Sequence, residues 1–225
     1  NDHFGIMRFN SDLTLDTSFG TDGVTETDLG GGRYAHTLLH DKQGRILVGG
    51  NGYLTRYSAD GTLDTSFGNS GSIRNSHVEQ IFDIAIQPDG KLLATGRDGN
   101  AFHTTRYNTD WTVDANWTGN KSNARGIFSR DDGDILVVGR LETQRWNSLI
   151  NSEFDRDFHF SKGHEFVYRT LELPDGKVLA IGEHGSGSNE DLALARFHPD
   201  GDLDTSFGND GKVELPVLND ADRGL

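Results

Sequence analysis

Short apolar stretches of five or six residues alternate along the chain with turns rich in Asp and Gly. An apolar stretch precedes each turn of the type QGR, PDG or DDG, and a second apolar stretch follows it. This pattern predicts two antiparallel strands joined by a turn whose residues suit positive φ or a type I turn with a bulge. No window of twelve residues carries a helical period of 3.6, so helices are not expected. The turn glycines of the four predicted hairpins are Gly44, Gly90, Gly133 and Gly176.

A longer element recurs out of phase with these hairpins. The segments RFNSDLTLDTSFG, RYSADGTLDTSFG and RFHPDGDLDTSFG begin at residues 8, 56 and 196, and two altered copies begin at residues 106 and 147. Successive copies are 48, 50, 41 and 49 residues apart, close to the period of a propeller blade. Each copy begins with the end of a third strand, usually at an Arg–aromatic pair, and a short fourth strand follows it. Four antiparallel strands in each repeat predict an all-β fold, a β-propeller of four-stranded blades.

The repeated Asp and aromatic residues of the DTSFG element have a structural interpretation. Each Asp is expected to accept a backbone N–H two residues further on and so to close a turn. The aromatic residue three positions later is expected to pack between neighbouring sheets, where its burial contributes roughly 1.5–3 kcal/mol. A catalytic group is required once, whereas a packing residue is required in every repeat. The residues concerned are Asp16, Asp64, Asp114, Asp155 and Asp204, with Phe19, Phe67, Trp117, Phe158 and Phe207.

Composition limits the classes of function. The chain has 225 residues, 33% of them hydrophobic, and no apolar run approaches the length of a membrane span, so membrane insertion is not expected. The net charge of −14 argues against a nucleic-acid partner, because phosphate binding requires clustered Lys and Arg. The absence of Cys excludes disulfides, thiol nucleophiles and thiolate metal sites. The chain starts at Asn1 without an apolar leader, so we expect a mature or excised fragment.

The repeats resemble the bacterial delta-sixty repeat, whose consensus reads PDGKILVAG, then LARYNPDGSLDTSFG and a trailing GKV. The correspondence is partial at 1–28 and weak at 124–163, and it is close at 42–73, 87–120 and 173–214. The resemblance implies a β-propeller within a large secreted or surface protein of bacteria, with no chemistry assigned to the repeat itself. An extracellular or cell-surface location is therefore expected, with the periplasm as the alternative.

The count of repeat elements predicts an incomplete ring. Five copies of the longer element accompany four hairpins, and the copy within residues 1–28 has no hairpin before it. We therefore expect one domain over 1–225, a five-bladed propeller whose closing blade is split and whose inner hairpin is absent from the chain. The expected partner is that half-blade, supplied by the rest of the same protein or by another chain, because open edge strands capture further strands. The expected segments are an outer half-blade at 1–28, full blades at 29–76, 77–120, 121–163 and 164–217, and the start of a hairpin at 218–225.

The motifs that could carry chemistry are weak. The segment GGGRYA at 30–35 fits a dinucleotide-binding pattern, but a strand rather than a helix is predicted after it. Asp200, Asp202 and Asp204 alternate as in a calcium loop, yet the sixth position is Thr205 and no Glu stands at the twelfth. No cofactor is therefore expected, with weak calcium binding as the alternative. Neither an H-E-x-x-H nor a G-x-S-x-G motif is present in the sequence.

A ligand site is expected at the start of the innermost strands, where residues differ from repeat to repeat. Counting back from the hairpin glycines aligns His36, Phe82, Arg125 and Tyr168 at eight residues, and Thr37, Asp83, Gly126 and Arg169 at seven. Asp83 and Arg169 are expected to be buried charges that need partners, and Asp83 would pair with Arg125 or Arg169 in a closed structural network. Alternatively, these residues form a polar ligand pocket together with Arg33, Tyr34, His164 and Glu165.

Three functions fit these observations. The first is a non-catalytic binding, adhesion or scaffold module of a larger bacterial extracellular protein. The second is a hydrolase, either a glycosidase with Asp83 and Glu165 facing one cavity or a lactonase with Asp83 and His36 on a metal. The third is a carbohydrate-binding propeller, with exposed aromatics stacked on a glycan; a peptide is the other ligand considered. The candidate aromatics are Trp111, Tyr53 and Trp146. Trp111 is the strongest of them because it replaces a glycine of other copies at a turn, where burial is not expected.

Overall fold

The computed structural model describes residues 3–31, 34–99, 101–118, 124–139, 142–146, 153–157, 164–186 and 189–215. Within these ranges the regular secondary structure is entirely β. None of the described segments forms a helix long and apolar enough to cross a membrane. The strands of this part of the chain are β1 (Phe4–Met7), β2 (Val24–Thr27), β3 (Ala35–His40), β4 (Ile46–Gly50), β5 (Tyr53–Tyr57), β6 (Ser72–Arg74), β7 (Gln80–Ile86), β8 (Leu92–Asp98), β9 (Ala101–Tyr107), β10 (Val113–Thr118), β11 (Ala124–Ser129), β12 (Ile135–Gly139), β13 (Glu142–Trp146), β14 (Glu153–Asp157), β15 (His164–Glu172), β16 (Val178–Ser186), β17 (Asn189–Phe197) and β18 (Lys212–Leu215).

The strands pair in chain order into antiparallel sheets. Four sheets have four strands each, namely β3–β6, β7–β10, β11–β14 and β15–β18, and the fifth sheet consists of β1 and β2. Each four-stranded sheet begins with one of the predicted hairpins. The fourth strand follows the longer repeat element in β6 and β18, as predicted, whereas β10 and β14 lie within the copies that begin at residues 106 and 147. The predicted all-β fold of four-stranded antiparallel blades is therefore confirmed. The blade count of five, the single domain with its segment limits and the closure of the ring stay predictions.

The chain divides into two compact units. The first comprises Asn1–Ile86 and Gly90–Gly119, and the second comprises Gln87–Asp89 and Asn120–Leu225. The first unit holds the β1–β2, β3–β6 and β7–β10 sheets, and the second holds the β11–β14 and β15–β18 sheets.

Apolar cores lie between successive sheets of a unit. In the first unit one core joins the β1–β2 and β3–β6 sheets through Phe4, Ile6, Phe19, Ile46, Val48 and Tyr57. A second core joins the β3–β6 and β7–β10 sheets through Leu47, Leu54, Phe67, Val78, Ile81, Ile84, Leu92, Ala94 and Tyr107. In the second unit one core comprises Leu136, Val138, Val167, Val178, Ala180, Ala193, Ala195 and Phe197. The second strand of a sheet is covered on both faces, as β4 and β12 are along their whole length, which explains its continuous apolar sequence.

The hairpin turns have the predicted backbone geometry. Gly44, Gly90, Gly133 and Gly176 adopt φ angles between 76° and 87°, which favour glycine. The amide of Gly44 donates to the carbonyl oxygen three residues before it, and the amides of Gly133 and Gly176 make the equivalent bond. Gly90 lies at the equivalent position of its turn with the same sign of φ. The turn chemistry is thus read correctly from the DG-type sequences.

An arginine, an aspartate and an aromatic ring hold each DTSFG turn, and we call this arrangement the repeat clasp. In the second copy Arg56 Nε donates to Asp64 Oδ2 over 2.8 Å, and the Arg56 guanidinium lies 4.9 Å from the centre of the Phe67 ring. Asp64 Oδ1 in turn accepts hydrogen bonds from the amide and the hydroxyl of Ser66. Equivalent clasps join Arg8, Asp16 and Phe19, and Arg196, Asp204 and Phe207. The predicted turn closure by Asp is confirmed in these three copies.

The third copy departs from the predicted turn. Asp114 and Trp117 lie in strand β10, which pairs with β9, so the expectation of a closed turn at Asp114 is wrong. Residue 116 is Asn where the three closely matching copies have Ser, and the Asp114 carboxylate instead accepts hydrogen bonds from Lys91 Nζ and Arg106 Nε. The clasp itself persists, because the Arg106 guanidinium lies 5.2 Å from the ring of Trp117. The aspartate and aromatic ring expected at 155 and 158 have side chains outside the described residues.

The clasp aromatics pack between sheets where a following sheet is present in the same unit. Phe19 and Phe67 have no exposed surface, and each belongs to a core that joins two sheets. Phe207 lies in the turn between β17 and β18 of the final described sheet of the second unit, and it is only half-buried. The predicted packing role is therefore confirmed for Phe19 and Phe67.

Candidate functional site

A β-bulge occurs at the same place in the first strand of every four-stranded sheet. We call these first strands, β3, β7, β11 and β15, the inner strands; β3 contacts β7, and β11 contacts β15. Each inner strand has one residue more than its partner at the bulge, between residues 35 and 37, 81 and 83, 124 and 126, and 167 and 169. Bulges redirect side chains and are common beside functional sites. The bulged residues are the four predicted candidates His36, Phe82, Arg125 and Tyr168.

The two bulged residues of the first unit lie side by side. The ring centres of His36 and Phe82 are 5.5 Å apart, and the rings are tilted by 51°. His36 Nε2 lies 2.8 Å from Oδ1 of Asn51, which follows the last residue of β4. Phe82 is buried, whereas His36 is half-buried. The imidazole is thus held by an amide on one side and by an aromatic ring on the other.

Asp83 contacts the neighbouring inner strand through Thr37. Thr37 Oγ1 donates to Asp83 Oδ1 over 3.2 Å, and the same oxygen accepts the amide of Ile84 over 3.0 Å. Asp83 is half-buried rather than fully buried. The structure therefore brings together His36, Thr37, Phe82 and Asp83 from two adjacent inner strands, and we call these residues with Asn51 the bulge cluster.

The candidates of the second unit are more exposed. Arg125 is half-buried, Tyr168 is 50% exposed, and Arg169 is also exposed. The expectation that Arg169 is a buried charge is therefore wrong, since the residue after the bulge of β15 faces open solvent. The predicted network of Asp83 with Arg125 or Arg169 stays a prediction.

Some predicted residues lie outside the described part of the molecule. Arg33 is one, and the side chains of Trp146, His164 and Glu165 are not described either. The pairing of Asp83 with Glu165 as two catalytic carboxylates therefore stays a prediction. Tyr34, which precedes β3, is described and is 58% exposed.

Trp111 is not the freely exposed aromatic that its position indicates. It adopts a φ of 70° in the turn, as expected for a site where other copies have glycine. Its ring nevertheless packs edge-on against Phe67 with centres 4.6 Å apart, and Arg56 lies 4.8 Å from its centre. The expectation that the side chain at this turn is not buried is wrong, because Trp111 is partly buried against the core between two sheets. Tyr53 is likewise half-buried against the first core.

The three aspartates of the calcium-like segment have different roles. Asp204 is almost fully buried, and its carboxylate accepts hydrogen bonds from Arg196 Nε at 2.7 Å, from Lys177 Nζ at 2.9 Å and from Ser206. The hydrogen bond from the Ser206 hydroxyl, followed by that from Lys177, lowers the pKa of Asp204 well below its usual range. Asp200 accepts the amide of Asp202 and so closes a turn. Among the described residues no group of three His, Cys, Asp or Glu side chains is arranged to hold a metal ion.

Asn51 is a member of the cluster that the sequence pattern did not single out. Its amide donates to the carbonyl oxygen of Tyr34 over 3.1 Å, which places its side chain next to the bulge. A signal for it exists in the sequence. The residue after the glycine that aligns with Gly50 varies among the hairpins, being Asn51, Arg97, Arg140 and Glu183. In the second sheet the same position also contacts the start of the inner strand, since Arg97 Nε donates to Gln80 Oε1 over 3.0 Å.

The bulge cluster can bind a polar ligand by hydrogen bonds and by contact with rings. His36, Thr37, Asn51 and Asp83 supply donors and acceptors, and Tyr34 supplies an exposed ring nearby in the chain. Hydrogen-bonding groups beside aromatic surface are typical of small-molecule binding sites. The β-sheet scaffold fixes these groups in place, because each belongs to or directly follows a paired strand.

A family described as a domain of unknown function (DUF5122) beta-propeller matches the chain at residues 1–19, 44–67, 87–116 and 173–207. The matched segments include hairpin turns and parts of the longer repeat element. This match supports a β-propeller family for the chain. No curated protein shows significant sequence similarity to it.

Solved structures share the fold at low sequence identity. A protein of unknown function from Bacteroides caccae has a TM-score of 0.53 at 13% identity, covering 98% of this chain and 92% of that one. Drosophila Plexin A, in a complex with Semaphorin 1b, has a TM-score of 0.54 at 15% identity, covering 81% of this chain and 42% of that one. The extracellular domain of a hybrid two component system from B. thetaiotaomicron has a TM-score of 0.50 at 11% identity, covering 90% and 25%.

At these identities the similarity concerns the fold alone. The repeated four-stranded antiparallel sheets, the family match and the structural similarities agree with one another. Together they show that the chain is an all-β protein with the β-propeller fold.

Proposed function

We propose that the chain is a non-catalytic binding module of an extracellular bacterial protein, with its ligand site at the bulge cluster. The observation that carries this proposal is the combination of a repeated bulge with residues that differ at every copy. A repeated frame with variable side chains is expected where a binding function has been added to a structural repeat. The clasps, in contrast, repeat the same residue types and serve the fold.

The chemistry of the cluster favours a neutral polar ligand, and we propose a glycan. The His36 imidazole, the Thr37 hydroxyl and the Asn51 amide match the donors and acceptors of sugar hydroxyl groups. The exposed ring of Tyr34 offers a surface on which the apolar face of a sugar can lie. The net charge of −14 disfavours strongly acidic ligands through long-range repulsion.

The proposed extracellular location has two supports. The repeats resemble those of secreted and surface proteins of bacteria, and one structural neighbour is the extracellular domain of a two component system. Secretion of the parent protein and its distribution between medium and cell surface can be measured with an antibody against the chain.

A glycan array with fluorescently labelled protein tests the ligand. The affinity for the best glycan is then measured for the unaltered protein and for His36→Ala, with His40→Ala as the matched control, because both histidines lie on β3 and His40 is exposed. We expect His36→Ala to weaken binding about tenfold, equivalent to about 1.4 kcal/mol, and His40→Ala to leave it unchanged. A blank array, or equal effects of the two variants, contradicts the proposal. Turnover of the bound glycan would contradict its non-catalytic part and favour a hydrolase.

A further inference from the structure

Strand β1 presents an open edge in the first unit. Within the described residues β1 pairs with β2 alone, whereas its counterparts β5, β9, β13 and β17 pair on both sides. The Arg8 amide donates to the carbonyl oxygen of Gly23, on the side of β2. Because backbone groups alternate in direction along an antiparallel strand, the N–H and C=O groups of Gly5 and Met7 point to the open edge. An edge of this kind is a template for pairing with a further strand.

A second observation places an uncovered apolar side chain on the neighbouring sheet. Leu38 of β3 is 54% exposed, whereas its counterparts Ile84 of β7 and Ile127 of β11 are 5% and 3% exposed. Ile84 is covered by the second strand of the preceding sheet, since a Cβ on Gly49 would lie 3.3 Å from its Cγ2 atom. The preceding sheet of the unit is β1–β2, whose described residues supply no counterpart of β4.

The open edge of β1 and the exposed side chain of Leu38 would both be covered by one added strand. The strand that pairs with a third strand such as β5 is also the strand that covers the inner strand of the next sheet, as β4 does for Ile84. A single β-hairpin with the repeat's own pattern would fill both places.

We propose that the open edge of β1 and the exposed face of Leu38 form a docking site for one β-hairpin, with an apolar stretch on each side of a DG-type turn. Such a hairpin is present in a further copy of this repeat. Its second strand pairs antiparallel with β1 in the register of β8 on β9, which sets Gly96 opposite His103 and Ala94 opposite Thr105. On β1 the equivalent positions are Gly5 and Met7. The hairpin residue opposite Ile6 then faces Leu38. This proposal does not depend on which ligand the bulge cluster binds.

A synthetic peptide with the sequence of residues 80–98 supplies such a hairpin as a probe. The fluorescein-labelled peptide is titrated into the full chain and its anisotropy is recorded. We expect saturable binding, together with slower hydrogen exchange of the Gly5 and Met7 amides in the complex. The matched control peptide carries A94P, because proline has no N–H to donate to β1, and we expect it not to bind.

Variants of the chain test the second part of the site. Leu38→Asp should weaken binding of the peptide about tenfold, equivalent to about 1.4 kcal/mol. Leu13→Asp is the control, because Leu13 is 82% exposed and lies in the turn between Phe9 and Leu15 rather than in β1 or β3. Thermal melting by circular dichroism checks that both variants fold.

The proposal is overturned if the peptide does not saturate, if A94P binds equally well, or if Leu38→Asp and Leu13→Asp have equal affinity. Protection that appears on another strand and not at Gly5 and Met7 also overturns it. Because the exchange experiment uses the unaltered chain, it decides the question even if Leu38→Asp does not fold. The glycan affinity of the bulge cluster is measured separately, so failure of one proposal is distinguishable from failure of the other.

Discussion

The clasp of the second repeat gives the sharpest prediction about stability. The Arg56 side chain is 4% exposed, and its guanidinium lies 4.9 Å from the centre of the Phe67 ring and 4.8 Å from that of the Trp111 ring. Its Nε donates to Asp64 over 2.8 Å, and Nη2 donates to the Ser66 hydroxyl over 3.2 Å. Removing one partner of a buried ion pair costs about 3–5 kcal/mol. Asp64 is 17% exposed and keeps its two hydrogen bonds from Ser66, so the cost here should lie at the lower end of that range. We therefore expect Arg56→Met to lower the free energy of unfolding by about 3–4 kcal/mol.

The matched control is the same substitution in the first repeat. Arg8 makes the same bond to Asp16 over 2.8 Å, but its side chain is 37% exposed and stacks on one ring, that of Phe19. An ion pair open to solvent contributes about 0–1 kcal/mol. Each cation–π contact adds roughly 0.5–2 kcal/mol, so Arg8→Met should cost about 1–2 kcal/mol.

Urea unfolding of both variants, followed by circular dichroism and tryptophan fluorescence, measures the difference. The midpoint of Arg56→Met should fall by about twice as much as that of Arg8→Met or more, with the slope unchanged. Equal losses for the two variants, or a loss below about 1 kcal/mol for Arg56→Met, would refute the reasoning that burial sets the strength of the clasp.

Three further predictions follow from individual contacts. Gly50→Ala should destabilise the protein by about 1–3 kcal/mol, because a Cβ there would overlap the carbonyl oxygen of Tyr34 and lie 2.6 Å from the buried Phe4 ring. Gly5→Ala is the control and should be neutral, since nothing lies within 4 Å of a Cβ at that position. Thermal melting of both variants measures the difference. Phe67→Ala should lower the free energy of unfolding by about 3–5 kcal/mol and Phe207→Ala by less than half of that, because the Phe67 ring is fully buried and the Phe207 ring is half-buried. Equal urea midpoints for the two variants would contradict the packing of these rings as the source of stability. The hydrogen bond from the Ser66 hydroxyl, with those from the Ser66 amide and from Arg56, lowers the pKa of Asp64 below its usual value. The stability that the Asp64 carboxylate contributes is therefore complete above about pH 4 and is lost as the pH falls through its pKa in the folded state. Asp64→Asn should therefore reduce the loss of stability between about pH 4 and pH 2, and an unchanged slope would show that this carboxylate does not contribute.

Much of the fold follows from local sequence, because each strand pair is joined by a turn whose chemistry is visible. The DG-type turns with Gly44 and Gly90 give the hairpins, and the repeat period gives the four-stranded sheets. The clasp is only partly predictable: the aspartate and the aromatic ring recur within four residues, but Arg56 lies in β5, eight residues before Asp64. Its role depends on the register of β5 against the turn, which no local pattern encodes.

The candidate site could be located by alignment but not described from it. His36 and Phe82 were found because they vary within a constant frame, and the structure places both at a bulge. The exposure of Arg169 and the partial burial of Trp111 could not be read from the sequence, since both depend on which sheet covers which face. Asn51 was missed for a similar reason, because its contact with His36 spans a hairpin rather than neighbouring positions.

The most direct test of the central claim, that the variable bulges form the ligand site, is nuclear magnetic resonance mapping of the best glycan from the array. Backbone amide shifts of the labelled chain are recorded during a titration with that glycan. The account predicts that the largest shifts fall on residues 34–37, Asn51 and 81–83, at the bulges of β3 and β7. Shifts concentrated on the outer strands β2, β6 and β10, with the bulge residues unchanged, would contradict it.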